Sequence, residues 1–178
     1  MEEFPMVPDV KIVIVLPAYN AAKTLIRTLA EIPQEFRKHI ILVDDASKDD
    51  TVKIARTAGL KPFVHEKNHG YGGNQKTCYR EALAMGADIV VMVHPDHQYD
   101  ASVIPNLIKP ILAGEADAVF GSRMLGGRPL EGGMPKWKYI ANVFLTAFAN
   151  IAFERYLTAM SACTKILSTL NFNQLSSV

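Results

Sequence analysis

Short apolar runs alternate along the chain with stretches of helical spacing. Residues 11–16 (KIVIVL) are apolar and rich in β-branched side chains, and the run stops at Pro17, the pattern of a buried strand that ends in a loop. Similar runs recur at 39–43, 61–65, 88–93 and 117–120. Between them the spacing predicts helices over 22–32, 50–58, 73–85 and 102–112. The first places Leu25, Leu29 and Ile32 on one face, the second opens with acidic residues that suit a helix N-terminus, and Ser102 is the expected cap of the last. Strand and helix alternate throughout. That order predicts an α/β domain with a mostly parallel, Rossmann-like central sheet covered by helices on both faces.

Such sheets bind ligands at the C-terminal ends of their strands, and the residues just past each apolar run are polar. They are ProAlaTyrAsn (17–20), AspAspAlaSer (44–47), GluLysAsnHisGly (66–70), HisProAspHisGln (94–98) and GlySerArg (121–123). Five such loops define one rim. A carboxylate at Asp45 suits acceptance from a base N–H or a ribose hydroxyl, whereas Ser47, Asp49 and Thr51 also read as a capping group for the next helix. Asp96, Gln98 and Asp100 alternate, so an extended segment would turn their oxygens to one side, toward a hard cation such as Mg²⁺ or Mn²⁺. His94 and His97 offer a rival reading as transition-metal ligands. The glycine-bearing turn AsnHisGlyTyrGlyGlyAsn (68–74) leads into a helix and can present backbone N–H groups to an anion, but its spacing is neither that of a dinucleotide fingerprint nor that of a P-loop. Arg123 can fork onto a diphosphate or form a surface ion pair.

Composition narrows the classes. At 178 residues the chain is long enough for one compact domain. The net charge of +1 gives no argument for nucleic acid, although the balance is uneven: residues 1–122 carry 13 basic against 16 acidic side chains, residues 123–178 carry 6 against 2. Two cysteines, Cys78 and Cys163, without neighbouring ligands at metal spacing argue against a zinc site or a disulfide framework and for a reduced, cytoplasmic compartment. The acidic, proline-bearing N-terminus lacks the pattern of a secretory signal. Residues 139–153 form the longest apolar stretch, shorter than the ~20 residues that span a bilayer, so this helix is expected to lie on a membrane, cover the sheet or bury itself in a homo-oligomer.

Taken together, VLPAYNAAKTL, VDDASKDDT, EKNHGYGGNQKTCYREAL, HPDHQYD and GSRMLGG strongly resemble the family 2 glycosyltransferases, in particular the branch of dolichyl-phosphate mannose synthase and bacterial polyprenyl-phosphate sugar transferases. The likeness covers roughly residues 10–155. It implies the GT-A nucleotide-diphospho-sugar transferase fold, a UDP- or GDP-sugar donor, and inversion at the anomeric carbon. By resemblance Pro17, Tyr19 and Asp45 hold the nucleoside, with Val43 beside them. Ala18, Asn20, Asn68, Gly72, His94 and Pro95 complete the expected donor-binding rim. Asp96 and Gln98 match the metal and diphosphate ligands, and Arg123 the phosphate-contacting arginine. A polyprenyl phosphate or a cell-envelope glycan is the implied acceptor, with peripheral contact at the inner face of the membrane.

Two positions depart from the family pattern: His94 replaces the first Asp of the metal segment, and Ala21 replaces the Glu that relatives of the mannose synthase carry. No general base is assigned. The tail from 158 to 178 lacks the family's Thr-Gly-Phe/Tyr-Arg-like stretch, which divides the chain into a donor-binding domain at 1–157 and an atypical, apparently truncated tail. Two alternatives share parts of the pattern, a phospho-acceptor receiver module and a nucleotidylyltransferase. The 94–98 and 121–123 loops count against the first, and the 17–22 loop, without glycine or basic groups before Lys23, counts against the second.

Overall fold

The protein is described here by a computed structural model covering residues 10–97, 100–121, 136–153 and 165–168. In chain order the elements are β1 (Ile12–Ala18), α1 (Leu25–Glu31), β2 (Ile40–Asp44), α2 (Thr51–Thr57), β3 (Phe63–Val64), α3 (Gly70–Ala84), β4 (Ile89–Met92), α4 (Ile104–Leu112), β5 (Ala118–Phe120), α5 (Lys136–Phe153) and β6 (Lys165–Ser168). Single turns of 3₁₀ helix occupy Gln34–Phe36 and Ala101–Val103. The strands form one sheet in the order β3-β2-β1-β4-β6-β5.

The alternation of side chains along the strands divides the core into two layers. Ile14 and Leu16 of β1, Leu42 of β2 and Val91 of β4 face one way, where Leu25 of α1, Ala55 of α2 and Ile104 and Ile108 of α4 join them. Val13, Val15, Ile41, Val43, Val90 and Met92 face the other way, onto Cys78 and Ala82 of α3. Both faces of β1, β2 and β4 are therefore apolar, which explains why these strands read as continuous runs instead of polar–apolar alternation. Each fully buried Leu, Ile or Val contributes on the order of 1.5–3 kcal/mol by leaving water, so this double layer holds the strand ends in fixed positions.

The sheet agrees with the predicted parallel core: β1 runs parallel to β2 and to β4, and β2 parallel to β3. Two features differ from expectation. The run at 61–65 shrinks to the two exposed residues of β3 at the sheet edge, because Pro62 has no N–H to extend a ladder. In the segment expected to be an atypical tail, β6 inserts between β4 and β5 and runs antiparallel to β4, with Ile89 opposite Ser168 and Met92 opposite Lys165. Four residues ending in a serine carry too little periodicity to announce a strand.

The chain divides into two compact units, Met1–Val119 with Lys165–Val178, and Phe120–Thr164. In the second, α5 carries Trp137, Ile140, Phe144 and Phe148 as exposed side chains at helical spacing. No helix among the described residues is long and apolar enough to cross a membrane.

Candidate functional site

The rim of the first unit is built from the loops past the C-terminal ends of β1, β2 and β4, with the turn from β3 into α3 beside them. Pro17 and Ala18 close β1 against Val43 and Asp44 of β2. Pro17 is tolerated in a central strand because the β1–β4 register has already ended at Val15. Tyr19 and Asn20 then emerge exposed. The β1 loop is stitched to the β2 loop by four bonds. Asn20 N–H donates to Ser47 Oγ at 2.8 Å, and Asn20 Oδ1 accepts from Lys48 N at 2.8 Å. Ala21 N–H donates to Thr51 Oγ1 at 2.8 Å, and Ala22 N–H to Asp49 Oδ2 at 3.1 Å. Ser47, Asp49 and Thr51 thus brace two loops, and Asp49 Oδ1 also accepts from Thr51 N at 3.0 Å at the start of α2.

The two aspartates that follow β2 differ in their bonding. Asp44 is fully buried; its Oδ2 accepts from Ser47 N at 2.9 Å, while its Oδ1 is sealed without a partner. Asp45 is 3 % exposed, and its Oδ1 accepts from His65 Nδ1 at 2.7 Å and from His69 N at 2.8 Å. His65 Nε2 contacts Thr77 Oγ1 at 3.0 Å, so this ring links β2 to α3. Burial alone would raise the Asp45 carboxyl, but hydrogen bonds from His65, His69 and Gly70 outweigh it and hold the group below the usual carboxylate range. Asn68 locks the same corner: its Nδ2 donates to Asp45 O at 3.1 Å, and its Oδ1 accepts from Gly70 N at 2.9 Å. Asn74 Nδ2 donates to Ala18 O at 3.2 Å and ties α3 to β1.

The turn into α3 is close-packed on one side and open on the other. A Cβ at Gly73 would meet His69 Cβ at 2.7 Å, so only glycine fits there. A Cβ at Gly72 would meet nothing within 4 Å, and this glycine faces outward. Tyr71, exposed, stacks on His94 with ring centroids 5.4 Å apart, and its hydroxyl lies 3.0 Å from His94 Nε2. Partial burial raises the Tyr71 phenol above its ordinary value, with a hydrogen bond from Gln75 opposing and the charge of Asp96 adding to the rise. Asp96 is therefore within electrostatic reach of the first turn of α3.

The loop after β4 turns instead of staying extended. His97 is left-handed (φ 55°), Pro95 is buried and Asp96 is exposed. The left-handed residue at 97 departs from the extended segment expected between Asp96 and Asp100. Asp100 instead caps the next turn, its Oδ1 accepting from Ser102 N at 2.8 Å; the cap is Asp100, with Ser102 as its donor. His97 Nε2 pairs with Glu31 Oε1 at 2.6 Å, away from His94. Gln98 and Arg123 lie outside the described residues.

Among the described residues no group of three His, Cys, Asp or Glu side chains converges as a ligand set, and His94 and His97 have separate partners, Tyr71 and Glu31. A hard cation that keeps its waters and binds through one carboxylate and the phosphates of a ligand does fit a single exposed Asp96. Sequence reasoning missed His65, and it named Tyr71 and Asn74 only as members of the 68–74 turn. His65 was hidden because it ends an apolar run and reads as a strand residue. The rim also gathers backbone strain: the positive-φ residues other than glycine among those described are Asn20 (51°), Ala46 (58°) and His97, one in each of these three loops. Left-handed backbone costs an L-residue roughly 1–2 kcal/mol, and such strain collects at ligand sites.

Comparison with known proteins identifies the family and the fold. The model of Glycosyl transferase family 2 matches residues 13–166. The UDP-N-acetylglucosamine–dolichyl-phosphate N-acetylglucosaminyltransferase of Methanococcus voltae is 29% identical over 167 residues, covering 84% of this chain and 66% of that protein. The undecaprenyl-phosphate mannosyltransferase of Micrococcus luteus is 30% identical over 133 residues, covering 71% and 52%. The chain thus spans only part of the length of the curated relatives it matches. Glucosyl-3-phosphoglycerate synthase of Mycobacterium tuberculosis, crystallised with Mn²⁺, UDP-glucose and glycerol 3-phosphate, superposes with a TM-score of 0.63 at 24% identity over 90% of this chain and 57% of that one. The likeness shows the fold, which is GT-A. With a mostly parallel sheet and a family model that matches residues 13–166, the chain belongs to the family 2 glycosyltransferases.

Proposed function

We propose that this chain is the donor-binding part of an inverting transferase that takes a sugar from a UDP- or GDP-sugar. The observation that carries the reading is the pair of carboxylates past the strands on either side of β1, Asp45 after β2, tied down by α3, and Asp96 exposed past β4. In this reading Pro17, Ala18, Tyr19, Asn20 and Val43 surround the nucleoside while Asp45 accepts from its base. Asn68 fixes the turn and Gly72 leaves it room. His94, Pro95 and Asp96 border the diphosphate, joined by Gln98 and Arg123.

Asp96, with Gln98, is the group to hold Mg²⁺ or Mn²⁺, which supplies positive charge to the leaving diphosphate. Arg123 adds a planar cation for the same oxygens. The Tyr71–His94 pair keeps an imidazole, where relatives carry a carboxylate, stacked against α3. A lipid phosphate is the acceptor that needs least from this chain, since it is already an anion and requires no strong base. Two relatives named for dolichyl and undecaprenyl phosphate support that choice, with a glycan as the other acceptor class. The exposed apolar stripe of α5 and the basic surplus after residue 122 support peripheral contact with an anionic membrane face.

Calorimetric titration of UDP and GDP with Mn²⁺, with Mg²⁺ and with chelator tests the donor site. The expected result is metal-dependent binding of one nucleotide that Asp96→Ala removes. Binding of neither under any condition would overturn the reading.

A further inference from the structure

A carboxylate that serves a nucleobase has two oxygens to offer, and in this protein one is already taken. Asp45 Oδ1 accepts both from the His65 ring and from the His69 backbone, which uses the lone-pair directions of that oxygen. The carboxylate only accepts, so His65 Nδ1 carries the proton of this bond. The ring is held at its other end by Thr77 Oγ1, so it cannot swing aside without breaking two bonds, and its own backbone N–H is anchored on Asp44 O at 2.9 Å. Oδ2 is then the oxygen of Asp45 left to serve a base, with the Gly70 backbone N–H as a third donor to the carboxylate.

Nucleobases differ in how many adjacent donors they present to such a group. Guanine offers a ring N–H beside an amino group, two parallel donors that pair best with both oxygens of a carboxylate. Uracil and thymine offer a single imide N–H between two carbonyls. Adenine and cytosine present an amino donor beside a bare ring nitrogen, an acceptor that a carboxylate repels. From this count we infer that His65 is a positioning residue which commits one oxygen of Asp45 and so makes the donor site selective for a uracil-type base over guanine.

The inference rests on the donor-site reading above, and its test separates the two. UDP and GDP are titrated with Mn²⁺ into the full chain and into His65→Asn, His65→Gln and His65→Ala, each checked for native circular dichroism. Asn places its amide nitrogen where Nδ1 stands and keeps the bond to Asp45; Gln reaches toward Thr77 and does not. A guanine left with one donor unpaired binds about tenfold to a hundredfold more weakly than uracil. The expected result is that ratio in the wild type and in His65→Asn, and a ratio near one in His65→Gln and His65→Ala. GDP bound as tightly as UDP by the wild type overturns the inference and leaves the donor site standing. An unchanged ratio in every folded variant that lacks the bond overturns the role of His65. Should His65→Ala not fold, the Asn and Gln variants carry the comparison. Failure of both nucleotides to bind removes the donor site and this inference with it.

Discussion

Asp45 and Asp96 occupy equivalent places, each in the loop after a central parallel strand, yet their surroundings are opposite. Asp45 is nearly sealed and takes bonds from a side chain and a backbone amide of other elements. Asp96 is exposed on a turn whose neighbour His97 is pulled toward α1 by Glu31. The contrast separates two tasks. A group that discriminates a flat base must be fixed before the ligand arrives, because any freedom lost on binding weakens the discrimination. A group that meets a hydrated cation and a flexible diphosphate gains from access, since both arrive with water that must leave or rearrange.

Substitution at each site should therefore damage a different property. The largest effect is expected for Asp96→Ala, which lowers metal-dependent affinity for the nucleoside diphosphate by about a hundredfold or more, seen by calorimetry, with no change in the thermal midpoint. A clear drop in that midpoint would mean that Asp96 is structural and would dissolve the contrast. Asp45→Ala should instead cost stability, about 2–4 kcal/mol in urea unfolding, because it strands the His69 amide and the His65 ring in a nearly sealed corner.

Acid probes the Asp45 side next. Asp45 and Asp49 are both held low, burial working against and hydrogen bonds prevailing. A carboxyl depressed in the folded state adds stability above its unfolded value of about 4 and loses it as pH falls through the lower folded value. Stability should thus decline on acidification below about pH 4, and Asp45→Asn should flatten part of that decline. Denaturant titrations across this range read the difference. The smallest effect concerns Ala46, which carries a side chain at φ 58°. Ala46→Gly relieves left-handed strain and is expected to be stabilising by up to about 1 kcal/mol, net of the greater freedom of glycine in the unfolded chain. A loss of stability would show that the β2 loop is not strained there.

How much of this was legible in the sequence depends on the range of the interactions. The apolar runs of β1, β2 and β4 and the helices between them follow from local composition, and the rule that strand ends carry ligands locates the rim from the chain alone. Asp45 and Asp96 stand out for that reason. The partners of Asp45 do not, because His65 and His69 reach it from 20 and 24 positions away. The turn at His97 is hidden for a different cause: a histidine in left-handed backbone looks no different in sequence from one in an extended segment. Asp100 reads as a cation ligand although a nearer use, a cap two residues on, is available to it. The strand β6 escapes because its pairing with β4 is set by the sheet and not by its own four residues.

That strand bears on the order in which the molecule is assembled. The partner of β4 on this side is more than seventy positions downstream, with Met92 opposite Lys165, so the pairing closes a long loop and comes late. Until it forms, β4 presents an open row of backbone donors and acceptors in the middle of the future sheet, the kind of edge on which a second chain can build. Folding of this protein is accordingly a race between its own returning strand and that of a neighbour, and dilution favours the former.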